Sequence, residues 1–198
     1  MISDNFFVGI ISGIISGILT VLILWLWRVK IFVPKLIFGS HLCKVIKKDN
    51  KHCYYFIFKN IGKRNIVDIV VKSFIYIQGI AEHDRKLKIG FEAPTQIRRI
   101  VLEKKSVSAE IYLEQSDTIF LSTDIPEYIK NKIKIKEDSL EQLLGLGKEA
   151  YLVIIVMGSD EISGSRKYFR SKEYRIENIK KGRFERKTME VICDEEHA

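Results

Sequence analysis

The chain of 198 residues has few of the side chains that usually reveal a chemistry: three cysteines, four histidines and three prolines. Cys43, Cys53 and Cys193 are odd in number and widely separated, so they provide no disulfide framework and suit a reducing compartment. No Cys-x-x-Cys pair is present. His41 and Cys43 share one strand face while His52 and Cys53 oppose each other, short of the four ligands that a tetrahedral zinc site requires. Neither metal nor cofactor is expected. No glycine-rich loop joins a strand to a helix, which excludes a P-loop and a dinucleotide fingerprint, and Gly-x-Ser-x-Gly and His-Glu-x-x-His are both missing. "GSDEISGS" (158–165) has the wrong glycine spacing and reads as a hairpin tip. Glu110, Glu114, Asp117, Asp124 and Glu127 fall in one region without an accompanying base and read as solvated charges. The expectation is a protein that is not an enzyme.

Charge is also absent, in one place only. From Phe6 to Trp27 there are 22 positions without a charged residue. As a helix they measure about 33 Å, enough for a hydrocarbon core of about 30 Å. Trp25 and Trp27 close the run, where indole rings favour the headgroup region. A cleaved signal peptide wants a basic start, a shorter apolar run and small residues at the cut; here Asp4 is the only charge before the run and Trp-Leu-Trp-Arg ends it. The segment reads as a retained transmembrane helix. Lysine and arginine are missing before it, whereas Arg28, Lys30 and Lys35 follow, so the positive-inside rule puts the N-terminus outside and residues 28–198 in the cytoplasm.

Within the run, "GIISGIISG" (9–17) repeats small residues every four positions. At about 100° per residue, Gly9, Ser12, Gly13, Ser16, Gly17 and Thr20 fall on one stripe about 140° wide, and Ile11, Ile15, Ile18 and Leu22 gather on the far side. Insertion does not require this sorting; close packing of helices does, because small residues let backbones approach. With one span per chain the partner is another chain, and a homo-oligomer is the simplest expectation.

The remainder reads as mainly β. "RVKIFVPK" is a short linker that Pro34 keeps from continuing as helix. Apolar runs flanking "KKDNK" read as a hairpin, "KNIGKRN" as a further turn, and "IVDIVVKSFIYIQG" as a long strand. "LKIGF", "IRRIVLE", "VSAEIYLE", "EAYLVIIVMGSD" and "RKYFRSKEYRI" are additional strands, the fourth fully apolar and therefore central. Between them, Asp124 and the Ser139/Gln142 capping-box spacing predict two short helices within 124–147. The organisation expected is a transmembrane helix (1–28), a linker (29–35), an antiparallel β-sandwich or barrel (36–185) with that helical insertion, and a C-terminal tail (186–198).

"FKNIGKRNIVDIVVK", an Asn-x-Gly turn followed by an apolar-Asp-apolar strand, resembles immunoglobulin-like modules of bacterial proteins over residues 36–113. "SGSRKYFRSKEYRIENIKKGRF" is similar to the C-terminal part of uncharacterised bacterial single-span membrane proteins. The first resemblance implies a sandwich and the second implies no activity. In plan, though with no shared motif, the chain also resembles membrane effectors of nucleotide-signalled anti-phage systems, which join spans to a small β domain.

The formal charge of +8 rises to about +9 once Asp4 is set aside with the span, which draws the soluble part to anionic lipid; a chain rich in Ile, Lys and Asn also acquires such a surplus from AT-rich coding alone. Arg98, Arg99, Arg166, Lys167, Tyr168 and Arg170 are the candidate ligand-binding residues, arginine for bidentate phosphate contact and the aromatic ring for stacking a base. Lys104–Lys105 and Lys180–Lys181 with Arg183 extend the basic set. A nucleotide-type or protein ligand fits such a surface; duplex nucleic acid lacks any recognised motif. Two functions follow: a sensor or effector whose β domain receives a signal and whose clustered spans perturb the membrane, or a scaffold that holds a cytoplasmic protein at the membrane. The orientation is testable directly. A reporter fused after Ala198 is expected to be active only as a cytoplasmic fusion, and periplasmic phosphatase activity from that fusion overturns the topology.

Overall fold

The structure is a computed structural model, which describes residues 4–31, 33–47, 52–80, 88–97, 101–103, 105–113, 127, 133 and 139–192. Helix α1 (Asp4–Ile31) stops three residues before Pro34. Its stretch Phe7–Trp27 is long and apolar enough to cross a membrane, and none of it is buried against the rest of the chain.

Thirteen strands follow among the described residues: β1 (Leu36–Phe38), β2 (Leu42–Ile46), β3 (His52–Asn60), β4 (Ile66–Gln78), β5 (Lys88–Ala93), β6 (Thr95–Gln96), β7 (Val101–Leu102), β8 (Ser106–Ile111), β9 (Glu149–Asp160), β10 (Arg166–Arg170), β11 (Ile179–Lys181), β12 (Arg183–Phe184) and β13 (Val191–Ile192). They form two main sheets. The first runs β11-β2-β3-β8-β6, and β1 pairs with β3 beyond the end of β2. The second runs β10-β9-β4-β5, and β7 pairs with the start of β4. Pairing is antiparallel throughout except between β11 and β2. The fold class expected from sequence is therefore present: a mainly β domain behind one apolar helix, with two separate sheets facing each other as a sandwich. The hairpin expected around residues 47–51 is β2–β3, in register from Cys43↔Tyr55 to Ile46↔His52.

Alternation decides which face of each strand is buried. Tyr54, Phe56 and Phe58 of β3 and Val107, Ala109 and Ile111 of β8 point inward from the first sheet. Ile75 and Ile77 of β4, Ile89 and Phe91 of β5, and Leu152, Ile154 and Val156 of β9 point inward from the second. Truncating one of the buried phenylalanines to alanine costs about 3–5 kcal/mol through lost transfer energy and the cavity left behind. β9 is paired on both sides, which accounts for its unbroken apolar run.

Helix α2 (Leu140–Leu144) closes one end of the sandwich with Leu140, Leu143 and Leu144. Its capping box is the one the sequence predicts: the Gln142 amide donates to Ser139 Oγ and the Ser139 amide to Gln142 Oε1. Glu141 on its outer side is hydrogen-bonded by the Tyr54 hydroxyl and ion-paired with Lys44 at 2.6 Å. Burial raises the Glu141 pKa, but these two donors outweigh it and hold the carboxyl below its usual range. The first predicted helix of the insertion, beginning at Asp124, lies outside the described residues apart from Glu127 and Ile133.

The opposite end of the sandwich receives α1, and the turn between β3 and β4 organises it. Asn60 is fully buried; its Oδ1 accepts from the Gly62 amide at 2.9 Å and its Nδ2 donates to Arg64 O at 2.7 Å. This is an Asx turn, the physical content of the Asn-x-Gly pattern. The carbonyl of Lys35 then accepts from both Ile61 N (2.7 Å) and Gly62 N (3.2 Å), so the linker after α1 lies directly on the turn. A Cβ at residue 62 would stand 2.6 Å from Pro34 Cα, which no side chain tolerates. The Asp of the apolar-Asp-apolar strand has its own role. Asp68 adopts φ 52 at a bulge between Val67 and Val70, where the pairing with β9 shifts and the inward set passes from Ile66 to Ile69 and Val71.

Asp160 completes this end. It is 1% exposed, accepts from Ile162 N, Ser163 N and Ser163 Oγ at the tip of the β9–β10 hairpin, and faces Arg64 at 3.2 Å. Burial pushes its pKa up, but the Ser163 and Ile162 hydrogen bonds and the Arg64 charge lower it below the usual aspartate value. A depressed folded-state pKa stabilises above the unfolded value of about 3.9 and is lost as pH falls through the folded one. Asp160→Asn leaves Arg64 buried without its counter-charge, and the expected loss at pH 7 is about 3 kcal/mol. Denaturant titrations at stepped pH are expected to show the gap from the parent narrowing below about pH 4. A gap that is constant with pH overturns the role of the charge.

Candidate functional site

The predicted basic strand is β10, which among the described residues is an edge strand paired with β9. Arg166, Tyr168 and Arg170 point outward, Tyr168 being 60% exposed. Lys167 shares the opposite face with Phe169, which packs against the core. Strand alternation thus divides the predicted set between two faces. Arg170 also faces Glu173 at 3.6 Å. Arg98 and Arg99 lie outside the described residues, as does Lys104. On the outer face of the second sheet, Tyr168 stands in a cross-strand row with Met157 and Val70.

On α1, a Cβ added at Gly9, Gly13 or Gly17 meets nothing within 4 Å, so the notch that these residues cut in the helix is open. The Thr20 hydroxyl donates to Ser16 O at 2.8 Å, within the helix. That bond engages one of the hydroxyls of the small-residue stripe, leaving close backbone approach at the glycines as its main resource.

A third arrangement was not apparent in the sequence. The chain leaves β11, turns at Gly182 (φ 144) and lays the β12–β13 hairpin across the outer face of the first sheet. Cys43 Sγ donates to Gly182 O, Ser106 Oγ donates to Arg186 O at 2.8 Å, and Met189 is buried. The stretch assigned to the C-terminal tail contributes the strand β13, and residues 193–198 lie outside the described residues. This cover explains why Cys43 and Ile57 are buried although they point away from the sandwich core.

The hairpin does not seal the sheet. Beneath it is a cavity of about 210 Å³ lined by Val45 and Ile57 of the sheet and Phe184 of the hairpin. Through Ser106, Ser108 and Arg186 it continues into one of about 420 Å³ edged by Lys59, Lys105 and Lys187. Arg183 lines the inner part. Five cationic residues from β3, the start of β8 and the hairpin line this groove, and one of them, Lys105, faces Glu103 at 3.7 Å. Lys105 and Arg183 belong to the basic set marked from sequence; Lys59, Arg186 and Lys187 do not. The Ser106↔Lys59 and Ile37↔Lys59 pairings place the lysine end of the groove at the α1 end of the sandwich.

Farther along the same face, Glu110 accepts from Lys47 Nζ (2.8 Å), Tyr55 OH (3.0 Å) and Tyr112 OH (3.1 Å). Burial raises its pKa, but these donors and Cys53 outweigh that and hold the carboxyl below its usual range. Burial and Glu110 push the Cys53 thiol up, towards an inert cysteine. Glu110 is therefore a partnered anion, and no group of three or more metal-ligating side chains occurs among the described residues. Neither the known protein families nor the curated proteins give a match to the chain.

Burial of Cys43 beneath the hairpin has a direct readout. In a Cys193→Ser background, Cys43 and Cys53 are expected to resist a water-soluble thiol reagent. Ending the chain at Gly182 removes the hairpin and is expected to speed labelling of Cys43 by at least about tenfold. Equal rates in the two chains overturn the cover.

Proposed function

We propose that this is a single-pass protein of the bacterial cytoplasmic membrane, N-terminus outside, whose immunoglobulin-type sandwich receives a signal in the cytoplasm and whose spans self-associate to perturb the membrane. It acts as a sensor or effector without enzymatic chemistry, and its plan suits a defence system. The strand order supports the immunoglobulin part: β2-β3-β8-β6 against β10-β9-β4-β5 reproduces the A-B-E-D and G-F-C-C′ sheets of such domains.

The observation that carries the reading is the clamp between linker and sandwich. An anchor needs only a tether, and a loose one suffices. Here the Lys35 carbonyl takes two amide donors from the β3–β4 turn, β1 joins β3 at once, and Gly62 is kept free of a side chain where Pro34 crosses it. A change in the sandwich is passed to the helix through hydrogen bonds rather than through slack chain. The open glycine face of α1 supplies a surface for the response.

The scaffold reading rests on a different feature, the outer face of the second sheet, where Val70 and Tyr168 are exposed beside Arg166 and Arg170. Stable co-purification of a protein partner without any membrane effect favours it.

The two readings separate in cells. Gly13→Ile places a branched side chain at the centre of the stripe, and Gly62→Val forces the linker off the turn. Ile15→Leu, on the far face of α1, is the control. On overexpression the parent and Ile15→Leu are expected to crosslink in membranes and to depolarise them. Gly13→Ile is expected to lose both, and Gly62→Val to keep crosslinking while losing depolarisation. If all four behave alike, the span is a plain anchor.

A further inference from the structure

We propose that the α1 end of the sandwich is a lipid-docking surface, which seats the tips of the β3–β4 turn and the β9–β10 hairpin in the headgroup layer of the leaflet that α1 leaves. Beyond α1, three large apolar side chains among the described residues are more than half exposed: Ile162 (61%), Tyr168 (60%) and Ile61 (52%). The two isoleucines stand on turns, where Gly, Asn, Asp and Ser are the usual occupants. Both turns lie at the end of the domain that the linker enters, and they are joined to each other. Glu161 N donates to Asn65 O at 3.3 Å, and Arg64 faces Asp160 at 3.2 Å. The linker joins the first of them through the Lys35 carbonyl.

A lone exposed isoleucine needs no explanation; this pair is set apart by where the chain holds it. Helix α1 runs on to Ile31, about 6 Å past Trp27. The four residues from there to Lys35 add at most about 14 Å. With Trp27 at the hydrocarbon edge, the Lys35 carbonyl and the Ile61 amide on it lie within roughly 20 Å of that edge, and the headgroup layer itself fills about 5–8 Å of this. The backbone suits a layer poor in water. Ile61 N is taken by Lys35 O at 2.7 Å and Ile162 N by the Asp160 carboxylate at 3.1 Å, so both amides are satisfied while the side chains stay exposed. On these segments Lys35, Lys63 and Arg166 are exposed beside one exposed carboxylate, Glu161, a balance that favours an anionic leaflet. Small apolar tips with a mainly basic rim are the chemistry of an interfacial contact. Lipid is the occupant because a second copy or a soluble partner would have to enter the narrow space between domain and bilayer. With the linker as a third point of attachment, docking sets the tilt of the sandwich against the membrane. The site rests on α1 being the span and is independent of the sensor role.

The test uses the full chain in nanodiscs of phosphatidylcholine and phosphatidylglycerol, one chain per disc, in a Cys193→Ser background where Cys43 and Cys53 are buried. An environment-sensitive dye is attached at Ile61→Cys, Ile162→Cys, Ile15→Cys within the span, or Glu149→Cys at the α2 end of the sandwich. The quenchers are iodide in the water and lipids with a doxyl group near the head or at the tail of the acyl chain. Head-labelled lipid is expected to quench the dyes at 61 and 162 at least about threefold more than the dye at 149, with iodide in the reverse order. Tail-labelled lipid is expected to quench the dye at 15. Adding Ile61→Ser to the chain labelled at 162 removes one apolar tip and is expected to reduce lipid quenching there by at least about twofold. Ile176→Ser, at an isoleucine of similar exposure (48%) in the segment before β11, is expected to leave it unchanged. Quenching at 15 without quenching at 61 and 162 overturns the site and keeps the span, whereas loss at 15 as well overturns both. Shielding from iodide without lipid quenching marks a protein contact and also overturns the site, as does an equal effect of the two serine variants.

Discussion

The buried amide of Asn60 holds the α1 end of the domain together. A primary amide buried without partners is costly, and here each of its ends is satisfied within the turn itself, by the Gly62 amide on one side and Arg64 O on the other. That fixes the path from β3 in one sheet to β4 in the other. It also sets Gly62 where the linker crosses and Arg64 where Asp160 needs a counter-ion. The Asp160 carboxylate in turn ties down the β9–β10 tip. Four chain segments (linker, β3–β4 turn, start of β4, β9–β10 hairpin) thus meet around one side-chain amide and one ion pair.

Much of this architecture is legible in the sequence because its signals are local. Charge-free length gives α1, apolar runs on either side of a polar turn give β2 and β3, a β-branched and partly alternating run gives β4, an unbroken apolar run gives the doubly paired β9, and the Ser139/Gln142 spacing gives α2. Asn60-x-Gly62 is readable as a turn, yet its second role is not, because Pro34 meets Gly62 only once the sheets have formed. The parallel β11–β2 pair escapes a pattern reading for the same reason: its partners are separated by most of the domain.

The candidate site divides along similar lines. Arg166, Lys167, Tyr168 and Arg170 stand out because they are consecutive or nearly so, but period two sends neighbours to opposite faces, and adjacency in sequence is poor evidence for a shared site on a strand. The groove is assembled the other way, from single cations contributed by β3, by the turn before β8 and by the hairpin. One sign was available beforehand: β3 carries Ile57 on the face that ought to be wet, and an apolar residue there calls for a cover.

The clamp also determines how the domain answers a pull. Tension along α1 enters the sandwich at Lys35 and passes into β1, whose three residues lie beside the end of β3 rather than at the tip of a hairpin. A load along the strands must slide that short ladder as a unit, breaking its bonds together instead of unzipping them one at a time. The same geometry limits the resistance, because among the described residues the load falls on three residue pairs, the Gly39 amide on Ile57 O and two amide donors on Lys35 O. The joint therefore behaves as a mechanical fuse: stiff to small displacements of the helix, it gives way before the two sheets separate.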